Sequence, residues 1–212
     1  MSDVLHLADD AAAEDLATFV RRAKALDADG AIRLRAHGAV LATYVSPVHG
    51  GGGPTVLALR TLALNVSSDL DATVSLAAMT DRFARAVTAD VPVPPTRLTG
   101  VAWAGVTPPR RGWEVLTPVA SGILRDLARS GAAEIAAACP EGSGAAAVAT
   151  VRGTVWGRPL SDGIDVPTGV AYAADTMGFL PDGEQVTLLT CGAWSRLSTS
   201  RGHVIARAAG LL

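Results

Sequence analysis

The chain has 212 residues, enough to bury a core without disulfides or a metal, so neither is needed to explain why it folds. Its formal net charge of −2 and pI near 6.1 exclude the global basic field of a non-specific nucleic-acid binder, so any anion site has to be local and nucleic acid is not an expected partner. Lys24 is the only lysine, in an alanine-rich background, a bias that the GC-rich coding sequences of high-GC bacteria produce with no functional cause, so arginine abundance by itself points to nothing.

The first residues are acidic and lack the basic-then-apolar order of a secretory signal. Residues 9–26 then put Leu16, Phe19, Val20, Ala23 and Leu26 on one helical face behind Asp9 or Asp10 as N-cap. In 32–37, Ile32 and Leu34 alternate with Arg33, Arg35 and His37, the pattern of a half-exposed strand, and Gly38 is expected to turn the chain into a second strand over 40–48. Four glycines at 50–53, followed by Pro54, predict a mobile loop tip. They do not form a phosphate loop, because no Lys-Ser/Thr pair opens a helix there. A strand over 55–65 and a helix over 75–89, with Ser75 as cap and Leu76, Met79, Phe83 and Val87 on its inner face, complete the first half.

The Pro-rich stretch 91–96 cannot be helical and is where an internal boundary would fall in what otherwise reads as a single domain, 1–212. Residues 99–106 read as a short strand. Thr117-Pro118 reads as the start of a long helix bearing Ile123, Leu124 and Leu127, broken near Ser130-Gly131. The alternation in 145–157 reads as a strand, and Val166-Pro167 opens a helix ending near Met177-Gly178. After the Pro181-Asp182-Gly183 turn, 186–191, 194–197 and 203–207 read as an antiparallel meander. With no strict βαβ alternation and no GxGxxG, the expected class is α+β, an antiparallel or mixed sheet with helices packed mainly on one side.

Four tryptophans against three phenylalanines and two tyrosines invert the usual core ratio, and each indole has small or basic neighbours. An indole beside glycine offers a flat face, and a nearby arginine adds a fork that grips carboxylate or phosphate. Two segments combine these groups. The strand-to-helix connector 107–113 carries Arg110 and Trp113, stiffened by two prolines; the run 194–203 carries Trp194, Arg196, Ser198, Ser200, Arg201 and His203. These eight residues are the expected ligand-binding set.

No nucleophile elbow occurs, no acid is marked to orient His203, and His6, His37, His49 and His203 show no metal-ligand spacing. No catalytic residue, metal or cofactor is therefore expected. Cys139 and Cys191 read as reduced core residues. The expectation is a non-catalytic binding or interaction protein with an Arg/Trp-lined anion-binding surface. The alternative is an enzyme acting on a small anionic or phosphorylated substrate with His203 as general acid/base. Positive mean hydropathy without an 18-residue apolar run adds two further expectations, a cytoplasmic location away from membranes and a homo-oligomer.

Overall fold

The computed structural model describes residues 3–85 and 88–208, and shows an α+β protein built on a mainly antiparallel sheet. Its contacts divide the chain into two compact units, Met1–Val45 with Leu59–Val106, and Ser46–Ala58 with Thr107–Leu212. Two elements of one long hairpin, β2 (Ala31–Val48) and β3 (Thr55–Ser75), contribute to both.

In the first unit, β1 (Val4–His6) leads into α1 (Asp10–Leu26), whose N-cap is Asp9, its carboxylate accepting from the Ala12 amide at 2.8 Å. Ala13, Leu16, Phe19, Val20 and Ala23 are buried along one stripe; the larger of these side chains each contribute about 1.5–3 kcal/mol by leaving water. β2 does not turn at Gly38. Its buried residues are Ile32, Leu34 and Ala36 before that glycine and Leu41, Thr43 and Val45 directly after it, with Val48 at the strand's end, so the inward-facing parity changes from even to odd across Gly38. Gly38, at φ 59°, absorbs the extra residue, as a bulge does, and the strand continues. The predicted strand 55–65 likewise extends to Ser75, whose hydroxyl caps α2 (Leu76–Arg85) by accepting from the Ala78 amide. Leu76 and Met79 are buried as expected, Phe83 is half-buried, and Val87 lies outside the described residues.

The Pro-rich stretch 91–96 lies inside this unit. Its first residues belong to β4 (Asp90–Pro92), which pairs antiparallel with β1. Residues 102–105 form a single 3₁₀ turn that buries Trp103, in place of the expected strand.

The second unit contains the hairpin tip and four strands of a sheet whose order is β2-β3-β10-β9-β8-β5, where β5 is Glu114–Ala120, β8 Gln185–Cys191, β9 Trp194–Thr199 and β10 Gly202–Arg207. The predicted meander is thus present over β8–β10. Two expectations fail. Thr117-Pro118 lies within β5, an edge strand, where a residue lacking an N–H is tolerated. The helix begins only afterwards, α3 (Ser121–Ala138), and runs unbroken through Ser130-Gly131, because Gly131 makes room for the Trp156 ring. Residues 145–157 form α4 (Ala145–Gly157), not a strand: alanines favour helix, and Val148, Val151 and Val155 follow an i, i+3, i+7 spacing, of which only the Val151–Val155 step also fits a strand's period of two.

A short ladder, β6 (Pro159–Ser161) with β7 (Ile164–Pro167), precedes α5 (Gly169–Thr176). α5 packs on β9 and β10. The glycine tip is held against α4, an arrangement at odds with a mobile loop: a Cβ on Gly53 would sit 2.5 Å from the Cα of Gly153, and one on Gly51 2.3 Å from the Ala149 carbonyl oxygen. Among the described residues, no helix is long and apolar enough to cross a membrane.

Candidate functional site

Register assigns the two faces of the second unit's sheet. Residues directly opposite in an antiparallel ladder share a face, and alternate residues along a strand return to it. The pairs Arg207↔Trp194↔Cys191, Ile205↔Arg196↔Leu189 and His203↔Ser198↔Thr187 therefore form three parallel rows on one face. The other face carries Leu188, Leu197, Val204 and Ala206, all buried. Gly202 belongs to that second face and lies under the Phe179 ring, where an added Cβ would come within 2.7 Å, so the chain leaving α5 covers it. Helices line one side, and the three rows line the opposite one.

Trp113 reaches the first face from the loop before β5. Cys191 Sγ donates to the Arg111 carbonyl oxygen at 3.6 Å, and the Trp113 indole N–H donates to the Pro109 carbonyl oxygen at 3.0 Å, which holds the loop over the end of β8. The Trp113 ring then covers the Arg196 guanidinium, whose Cζ is 4.8 Å from the ring centroid. One row away, Arg207 Cζ lies 5.9 Å from the Trp194 ring centroid. In the third row His203 Nδ1 is 3.1 Å from Ser198 Oγ.

Arg196 is distinctive in what it lacks. Its Nε is buried with no hydrogen-bond partner, and no carboxylate is within ion-pair distance among the described residues. Other arginines are compensated: Arg33 by Asp71, Arg60 by Asp15, Arg97 by Asp3, Arg125 by Asp182 and Arg158 by Glu134, all at 2.5–2.7 Å. Burial consequently pushes the Arg196 pKa down from its ordinary value, whereas Asp71 raises that of Arg33. Arg82 also has a partnerless buried Nε, but it lies on α2 and, among the described residues, no aromatic ring stacks on its guanidinium.

Of the eight expected site residues, the sheet brings Trp113, Trp194, Arg196, Ser198 and His203 to one face. Arg110 is exposed on the loop, next to the carbonyl that anchors Trp113. Ser200 and Arg201 are the two exposed residues of the tight β9–β10 turn, where Thr199 Oγ1 accepts from the Arg201 amide and donates to the Gly202 carbonyl oxygen. Gly202 is a packed strand residue, and the turn is made without it. Sequence reading missed Arg207, Leu189 and Ile205, which join the site only through cross-strand register. His6 pairs with Asp90 and His49 Nδ1 meets the Ser46 carbonyl oxygen. Among the described residues no three His, Cys, Asp or Glu side chains converge on a metal-sized site.

Residues 1–105 match a family model described as a domain of unknown function (DUF8010), and residues 108–211 match another, a domain of unknown function (DUF8185). The two matches meet where the second unit's main segment begins, at Thr107. No curated protein matches the chain.

Proposed function

We propose that this is a non-catalytic binding protein whose second unit takes a small anionic ligand on the face built from Trp113, Trp194, Arg196, Ser198 and His203, with Arg110, Ser200 and Arg201 at its rim. The observation that carries the reading is Arg196: a partly buried guanidinium, covered by an indole, with no acid at ion-pair distance among the described residues. A buried charge without a partner is costly, and an anion reaching its terminal nitrogens relieves that cost through charge-assisted hydrogen bonds. Ser198, two residues along the same face, supplies a hydroxyl beside it.

The reading is tested by calorimetric titration of phosphate, sulfate and acetate into the wild type, Arg196→Gln and a control, Arg129→Gln, on the exposed side of α3. One anion is expected to bind saturably to wild type and control. Arg196→Gln should bind it about 10-fold or more weakly, as the loss of a charge-assisted bond of about 1.5–3 kcal/mol implies. Wild-type affinity in Arg196→Gln, or no saturable anion binding at all, overturns the proposal.

A second reading, an enzyme for a small anionic substrate, draws on the 3.1 Å contact between His203 and Ser198. It requires turnover of an aryl phosphate or ester that is lost in His203→Gln. A cytoplasmic location fits either reading.

A further inference from the structure

Resting on the anion-binding reading, we infer that the ligand is an aromatic anion: a flat ring bearing a phosphate or carboxylate, with the charged group on Arg196 and the ring against Trp194.

The surroundings of Arg196 are matched to such a molecule and poorly matched to a free inorganic ion. Its neighbours on the same face, Leu189 and Ile205, are apolar and almost wholly buried, so they give no donor to further oxygens of a tetrahedral anion. The Trp113 N–H is committed to the Pro109 carbonyl oxygen, so this residue offers its ring and not a donor. With one guanidinium face under that ring and Nε closed off, only the terminal nitrogens are left for the ligand, an end-on approach that suits the two oxygens of one acidic group.

The rest of the ligand then lies along β9. Trp194 is two residues from Arg196 on the same face, about 7 Å away along the strand, and half-buried. The exposed Arg207 guanidinium lies over its ring, 5.9 Å away, at the outer limit of a cation–π contact and therefore displaceable. Arg207 also has no carboxylate at ion-pair distance among the described residues, so this face carries two uncompensated cations. An indole beside an apolar floor and a fixed cation presents stacking area and charge in one direction, and indole faces accept any flat ring.

The experiment titrates inorganic phosphate, phenyl phosphate, benzoate and phenol into wild type, Trp194→Leu, Trp194→Phe and Arg196→Gln, with thermal melts confirming that each variant folds. Wild type is expected to bind phenyl phosphate or benzoate about 10-fold or more tightly than inorganic phosphate, and phenol at least as weakly as inorganic phosphate. Trp194→Leu should abolish that advantage and leave inorganic phosphate affinity unchanged; Trp194→Phe should keep most of it. If inorganic phosphate binds through Arg196 but neither aryl anion binds more tightly, the aromatic-ligand inference falls and the anion-binding reading stands. An advantage that survives Trp194→Leu, or phenol binding as tightly as phenyl phosphate, also overturns the inference. If nothing binds, both fall.

Discussion

Arg33 and Arg196 are both strand arginines with largely covered stems, and their opposite treatment defines the chemistry of the molecule. Asp71 grips Arg33 through two hydrogen bonds of 2.7 and 2.6 Å. The Arg33 hydrogen bond holds the Asp71 carboxyl below its ordinary value against the opposing effect of burial. A carboxyl whose folded pKa is depressed adds stability above its unfolded pKa, near 3.8, and that stability is lost as pH falls through the lower folded value. Asp71 is about half exposed, so the pair itself contributes only about 1 kcal/mol or less after solvent screening. Asp71→Asn should lower stability at neutral pH by about 1–3 kcal/mol, the cost of an under-satisfied guanidinium, seen as a lower melting temperature, and should flatten the melting profile below about pH 4. An unchanged acid limb in this variant would remove Asp71 from the account. Nothing comparable protects Arg196. The local density of donors and indoles pointed to Trp113, Trp194, Arg196, Ser198 and His203 from sequence, because these lie within two short segments. Leu189, Ile205 and Arg207 were invisible, because opposition across a ladder leaves no mark within a ten-residue window.

At the scale of elements, the segments read correctly were those with one consistent signal. α1 combines a cap with a single buried stripe, and β8–β10 combine alternation with turn residues. The failures came from signals with two meanings. Valines four apart in α4, Val151 and Val155, fit a period of two as well as a helical one, Thr-Pro serves a strand edge as well as a helix start, and a glycine at positive φ serves a bulge as well as a turn. The glycine-rich tip misled for a related reason: its glycines give close approach to α4. Gly153→Ala puts a methyl 2.7 Å from the Gly51 carbonyl oxygen and 3.0 Å from the Gly53 nitrogen, contacts with backbone that cannot swing aside. Overpacking of this kind costs about 1–3 kcal/mol. Chemical denaturation should show that loss for Gly153→Ala and none for Gly105→Ala, where an added Cβ meets nothing; equal stability of the two would mean that the tip does not pack on α4.

For the whole molecule, the division into units cuts across chain order, since Ser46–Ala58 belongs with the C-terminal segment. β10 pairs with β3, so a fragment of residues 107–212 lacks the strand that closes one edge of its sheet. That fragment should aggregate or give a non-cooperative melt, and adding back residues 46–58 through a linker should restore a cooperative one; a cooperative melt of the bare fragment would show that the hairpin tip is dispensable. Self-association is the other expectation at this scale, from positive mean hydropathy together with the exposed Val115, Leu116 and Ile123. Light scattering at micromolar concentration should return at least a dimer mass, and a monomer mass would remove the expectation. The most direct test of the central claim observes the Arg196 side chain itself, by following its Nε–Hε resonance, assigned by its loss in Arg196→Gln, during a titration with phenyl phosphate. The account predicts a saturable shift of that resonance in step with the Trp113 indole N–H; saturable binding that moves other arginine side chains and leaves Arg196 unperturbed would contradict it.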